Sequence, residues 1–263
     1  MAIGAYTVAI LTISPANKEM NYFLEPIVPF LADVEWSFLP ALIMGGILAA
    51  IFGFLIGAPV LRLTDDYLAI ATLGFAEIIR VVFTNTQSLT NGALGLKAIP
   101  KFSTILWSWI VAFLSIVFMV YLIRGSYGKA FIAIKEDEIA ARSMGINLFK
   151  HKVMSFTFSS FMAGIAGGLM ATHLGTIDPN MFRIALTFNI ILIMVLGGIG
   201  NINGTVISAI IVTAFMEILR FLDSSIDLGF IKLPGIPGMR MVIFSIILML
   251  VVIVRKDRLL KEN

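Results

Sequence analysis

Seven apolar runs follow one another along this chain, at about 37–58, 67–84, 104–123, 153–173, 184–198, 205–222 and 240–254. No single soluble core hides that many. A helix needs roughly 20 apolar residues to cross the hydrocarbon of a bilayer, and only helices or closed barrels satisfy their own backbone there. Barrel strands alternate in short segments, which these runs do not. The pattern predicts an all-α integral membrane protein, a polytopic bundle of about eight transmembrane segments forming one domain over 1–263. The eighth segment is the opening stretch Ala2–Ile13, which reaches only about 20 Å as a helix and so reads as a truncated first span. Runs 184–198 and 240–254 are the short ones among the rest.

The remaining composition fits this. The chain is 59% hydrophobic and only 13% charged, with 21 Phe and 14 Met. It has no cysteine, which excludes disulfides and thiolate metal sites. A net charge of +3 marks neither a nucleic-acid binder nor an acidic protein. What matters is where the positive charges lie, because cytoplasmic loops hold an excess of Lys and Arg. Placing the charged stretch 124–152 inside also puts 59–66, 199–204 and the tail 255–263 inside. That side holds Arg62, Arg124, Lys129, Lys135, Arg142, Lys150, Lys152, Arg255, Lys256, Arg258 and Lys261. The other side holds Lys18, Lys97, Lys101, Arg183, Arg220, Lys232 and Arg240. The C-terminus is therefore expected in the cytoplasm. The outer segments 14–36, 85–101 and 223–238 are rich in Pro, Gly and Asn, and read either as connectors or as a face on which another protein docks.

Within the spans, two features stand out. Gly45, Ala49, Gly53 and Gly57 recur every fourth residue, and Gly164, Gly168 and Ala171 repeat the device in a later span. Such stripes let helix backbones approach closely, as static packing or as a moving interface. Intramembrane charge is rarer. "FAEIIR" (75–80) and "FMEILR" (215–220) place Glu77 with Arg80 and Glu217 with Arg220 at i, i+3, in reach of each other on one helix face. Each pair is either a structural ion pair or the edge of an aqueous translocation path.

No enzyme site emerges. "GSYGKA" (125–130) lacks the spacing of a phosphate loop, and "GGIGNING" (197–204) follows a lipid-buried helix rather than a strand. There is no His, Asp or Glu cluster for a metal. His151 and His173 fall on opposite sides of the membrane.

The loop 124–152 has internal design. Lys135–Met144 is full of helix formers, Asp137 suits the first turn as a cap, and Gly145 suits a left-handed stop. Asn147 suits the cap of a second short helix leading into the next span. Ala140, Ala141 and Gly145 put small residues near one face. A short, sharply bounded helix of this kind fits another protein's groove, or lies on lipid headgroups.

"AIKEDEIAARSMGIN" (133–147) resembles the cytoplasmic E-A-A-x-x-x-G loop of ATP-binding cassette importer permeases, with Ile139 at the Glu position and Glu138 before it. Together with "YLAIATLGFAEIIR" (67–80), "SLTNGALGL" (88–96), "LGTIDPNMF" (174–182) and "VLGGIGNINGTVISA" (195–209), the chain resembles the permease subunits of branched-chain amino acid importers, the LivM type. The resemblance implies a multi-pass permease of a bacterial or archaeal cell membrane, translocating Leu, Ile or Val. It implies a second homologous permease subunit, two ATP-binding subunits that hold the ATP, and an extracytoplasmic solute-binding protein. No cofactor of its own is implied. It implies Glu138, Ala140, Ala141, Arg142 and Gly145 as the ATPase-coupling residues. A related permease for urea or short amides, an ion-coupled secondary transporter, and a scaffold without transport are the alternatives.

Overall fold

The computed structural model describes residues 1–22, 25–63, 65–219, 226–227 and 232–233. It divides into two compact units, Met1–Thr187 and Phe188–Asn263.

In the first unit, α1 (Ala2–Thr12) is the most buried helix, with Ala5, Val8 and Ala9 wholly inaccessible. Its 11 residues reach only about 17 Å. It does not meet lipid on its own, because α4 (Phe38–Val60) and α10 (Leu148–Leu174) enclose it. The approach is backbone to backbone. A Cβ added to Gly4 would run into the Gly164 carbonyl, and one added to Gly164 would meet the Gly45 oxygen at 2.8 Å. Gly45 in turn lies against Val8, and Gly168 lies between Val8 and Leu42. Ala49 and Ala171 are buried in the same region.

Two more helices complete the long set. α5 (Asp65–Asn85) and α7 (Ile105–Arg124) bury no residue in their apolar spans. With α4 and α10 they are the four helices among the described residues that are long and apolar enough to cross a membrane. The expected run 153–173 is longer than its apolar part: α10 is a single helix of 27 residues, about 40 Å, starting at Leu148. No separate short helix precedes it, because Asn147 caps α10 itself, its Oδ1 accepting from the Lys150 N–H at 3.0 Å.

One end of this unit, here termed the cap end, is assembled from segments remote in sequence. They include α2 (Pro15–Asn21), α3 (Pro29–Ala32), α6 (Gln87–Thr90) and short 3-10 turns at Gly92–Leu94 and Pro179–Phe182. Leu96 and Ile177 exchange two backbone hydrogen bonds, Leu96 N–H to Ile177 O at 2.8 Å and the reverse at 2.9 Å. Asn21 brackets Lys97, donating to its carbonyl at 2.8 Å and accepting from its N–H at 2.9 Å. Tyr22 Oη donates to the Leu89 carbonyl at 2.6 Å. The opposite, loop end carries α8 (Ser126–Glu136) and α9 (Glu138–Ser143).

The second unit holds most of α11 (Ile184–Gly197) and all of α12 (Ile202–Ile218), helices of 14 and 17 residues. Val212 and Leu219 pack with Leu192, Ile193, Leu196, Phe215 and Met216. The expected start of this span at 205 moves to 202, because Asn201 is a cap whose Oδ1 accepts from the Gly204 N–H at 3.1 Å. "NING" thus opens a helix instead of making a turn. A two-residue antiparallel pair joins Ile226–Asp227 to Lys232–Leu233. The run 240–254 lies outside the described residues.

Candidate functional site

At the loop end the chain stops and restarts twice within a dozen residues. The expected single helix over 135–144 is divided at Asp137, whose backbone is extended (φ −155°, ψ 111°). The physical reason is the cap itself. Asp137 Oδ1 accepts from the N–H groups of Ile139 and Ala140 at 2.8 and 3.0 Å, and a capping residue adopts non-helical dihedrals. Lys135 and Glu136 therefore close α8, and α9 begins at Glu138. Gly145 has φ +82°, and its N–H bonds the Arg142 carbonyl at 3.0 Å while that of Ile146 bonds Ala141 at 3.1 Å. A side chain at Gly145 would meet no atom within 4 Å, so backbone conformation alone asks for glycine there.

The small residues of α9 do not share a face. Ala141 turns inward, 3% exposed, into a cluster with Ile134 and Leu148. Ala140 and Arg142 point outward. The uncovered face instead carries Ile139 and Met144, 80% and 83% exposed. Sequence reasoning passed over both. The signal was Ile139 itself, an apolar residue where the loop pattern has a glutamate. An ion pair of 2.5 Å between Glu138 and Lys152 ties α9 to the first turn of α10. Arg62, just after α4, stacks its guanidinium on Phe149 at 5.1 Å from the ring centroid.

Within the spans, Glu77 and Arg80 meet on α5. Arg80 Nε donates to Glu77 Oε1 at 2.9 Å, and a second guanidinium nitrogen reaches the same oxygen. Glu77 is 42% exposed and Arg80 21%. Glu217 sits in the last turn of α12, but Arg220 lies outside the described residues. No cluster of three metal-ligating side chains occurs among the described residues.

A family model described as "Branched-chain amino acid transport system / permease component" matches residues 1–252. The chain belongs to this permease family. Among its relatives is the high-affinity branched-chain amino acid transport system permease protein LivM of Escherichia coli (strain K12). It is 34% identical over 253 residues, covering 83% of this chain and 55% of the relative. The probable branched-chain amino acid transport permease protein LivM of Methanocaldococcus jannaschii is 29% identical over 200 residues, 68% of this chain and 57% of that one. The autoinducer 2 import system permease protein LsrC of Salmonella typhimurium is 29% identical over 177 residues, 65% and 51% of the two chains. The chain thus spans about half the length of the curated relatives it matches. No solved structure matches it. The permease family, together with the apolar helices, makes this a multi-pass membrane protein, and its relatives are named for transport rather than for a chemical reaction. In this permease the motif "IAARSMG" is α9 and its stop.

Proposed function

We propose that this chain is the membrane-spanning permease subunit of an ATP-binding cassette importer for leucine, isoleucine and valine. One observation carries the reading. A member of a permease family bears a short helix, α9, with a built cap at Asp137, a built stop at Gly145 and an uncovered outward face. A permease without a nucleotide site receives its conformational change by contact, and a rigid, sharply bounded helix passes on a shift. In this reading the loop end and the C-terminus are cytoplasmic, α9 docks in a cleft of an ATP-binding subunit, and that subunit binds the ATP. A second, homologous permease completes the membrane part. An extracytoplasmic solute-binding protein delivers the amino acid at the cap end. The whole chain serves as a single permease domain.

The coupling residues are Glu138, Ala140, Ala141, Arg142 and Gly145. Ala141 and Glu138 hold α9 to the body, while Ala140 and Arg142 face the partner beside Ile139 and Met144. Glu77 with Arg80, and Glu217 with Arg220, edge the aqueous path. A half-exposed ion pair within a span is costly against lipid, so its open side suits water or another protein.

Gly145→Val tests the coupling. A β-branched residue held at positive φ costs about 1–2 kcal/mol, and the site lies outside the spans. The variant should extract from membranes as folded protein, yet co-purify with several-fold less ATP-binding subunit and lose uptake of labelled leucine in step. Lys129→Ala, on the exposed side of α8, should change neither. Normal ATPase recovery and uptake with Gly145→Val would overturn the coupling role. Because one relative is named for autoinducer 2, uptake is measured with that solute beside the three amino acids. Transport of that solute alone would replace the substrate.

A further inference from the structure

A recess of about 550 Å³ opens at the loop end, between the end of α4, α8, the start of α9 and the first turns of α10. Its floor is apolar, formed by Leu61, Phe131, Ile134 and Phe156. Ser155 and Ser159, one turn apart on α10, add two hydroxyls to the wall. Its rim carries Lys135, Glu136, Glu138 and Lys152, two cations and two anions. They stand as ion pairs, Lys135 with Glu136 at 3.3 Å and Lys152 with Glu138 at 2.5 Å. These side chains are between 32% and 70% exposed, so each ammonium and each carboxylate keeps room for a further partner. His151 lines the same recess; its Nδ1 donates to the Asn147 carbonyl at 2.8 Å, which leaves Nε2 of the neutral ring as an acceptor.

Depth in the bilayer decides what meets this recess. The apolar run at 153–173 reaches about 32 Å as a helix, close to the thickness of the hydrocarbon. α10 begins earlier, at Leu148, and the overhang from Leu148 to Lys152 projects about 7.5 Å. The headgroup layer is about 5–8 Å thick on each side. His151 and Lys152 therefore lie at headgroup depth, with Ser155, Phe156 and Ser159 at the acyl boundary and below it. α4 agrees, since it ends at Val60 and Leu61 is part of the floor. The recess is thus charged where a bilayer is charged and apolar where a bilayer is apolar. Its rim also selects among headgroups. A purely anionic headgroup would gain two ammoniums and meet two carboxylates. A trimethylammonium group has no N–H to give those carboxylates. A phosphate carrying a primary amine answers both signs.

We propose that this recess holds one phospholipid with a primary-amine headgroup, of the phosphatidylethanolamine class, its phosphate taken by Lys135 and Lys152 and its ammonium by Glu136 and Glu138. Because Glu138 belongs to α9 and Lys152 to α10, the headgroup braces the joint between those two helices. The inference rests on the chain being a membrane protein, and not on its solute or on an ATP-binding partner.

The test embeds the whole chain in nanodiscs of equal parts phosphatidylethanolamine, phosphatidylcholine and phosphatidylglycerol, and reads the lipid that stays bound on release by native mass spectrometry. Phosphatidylethanolamine should be retained several-fold over either of the others. Lys135→Met together with Glu136→Gln should remove that preference, and Ser159→Phe, which fills the recess, should cut retention several-fold. Lys129→Ala should change neither. The rim pair is exposed, so the double variant decides the matter even where Ser159→Phe does not fold. Amide exchange over α9 should be several-fold faster in discs of phosphatidylcholine and phosphatidylglycerol than in discs that include phosphatidylethanolamine. Equal retention of the three lipids, or an unchanged preference in the folded double variant, overturns the site, and equal exchange overturns the bracing. Excess free leucine, a zwitterion with both charges and an apolar tail, should displace nothing. If it strips the bound lipid, the recess is an amino-acid site and the lipid assignment falls.

Discussion

Lys18, in α2, is 1% exposed, and its ammonium donates to the carbonyls of Leu31 and Val34 at 2.7 and 2.5 Å. Burial lowers the pKa of this amine, and the nearby Glu35 and Asp33 carboxylates oppose part of that shift. The unfolded chain then holds the proton more firmly than the folded one. Lys18 therefore contributes most above its ordinary value of about 10.4, and its contribution falls as pH drops through the lowered folded value. The gap in unfolding temperature between wild type and Lys18→Met, read in detergent, should accordingly widen as pH rises from neutral toward that value; a flat gap would refute the burial argument. Glu77 and Arg80 pose a different residue-scale problem, since they form an ion pair and both sit in a span. Removing one member of such a pair leaves the other charge without its partner, which is worse than removing both. Glu77→Ala should lower the yield of folded protein or uptake more than the double variant with Arg80→Ala. Additive losses would mean that the two do not support each other.

At the scale of elements, two glycines on helices separate a crowded surface from an open one. Gly4 on α1 lies against the Gly164 backbone of α10, whereas Gly74 on α5 has no atom within 4 Å of where a side chain would start. Overpacking a tight contact typically costs about 1–3 kcal/mol. Gly4→Val should cut the recovery of monodisperse protein and lower its unfolding temperature, while Gly74→Val should leave the isolated subunit's stability near wild type. Equal losses would mean that α1 is not the element that seats α4 on α10. The elements also show what local sequence could carry. Asp137 was readable as a cap, but a cap ends whatever precedes it, and that second consequence is what divides the stretch after Lys135. Asn147 was readable in the same way, yet nothing local distinguishes a short helix from the first turns of a 27-residue one. Asn201 was missed because Asn-Gly favours turns as readily as caps.

For the whole molecule, the apolar runs gave away the helical membrane class, and the four longest helices follow them closely. The cap end was illegible. Its joints, Asn21 to Lys97 and Leu96 to Ile177, are hydrogen bonds between segments about 75 to 80 residues apart, half of them made by backbone alone, and they leave no periodicity to read. The burial of α1 was equally hidden, since a short apolar stretch looks alike whether lipid or helices surround it. Sidedness is open to direct measurement: single cysteines at Lys129 and Lys101 should react with an impermeant maleimide from opposite faces, Lys129→Cys only in inverted vesicles. Labelling of both from one face would refute the orientation. One feature of this architecture reaches further. α10 runs unbroken from Asn147, beside the Glu138–Lys152 tie, to Gly175, whose carbonyl accepts from Ile99 N–H at 3.0 Å in the cap. It is a single helix with a fastening at each end. Thermodynamic reciprocity then applies to whatever binds the two ends: if a protein on the cap alters the affinity of α9 for its partner by some factor, that partner alters the cap's affinity by the same factor.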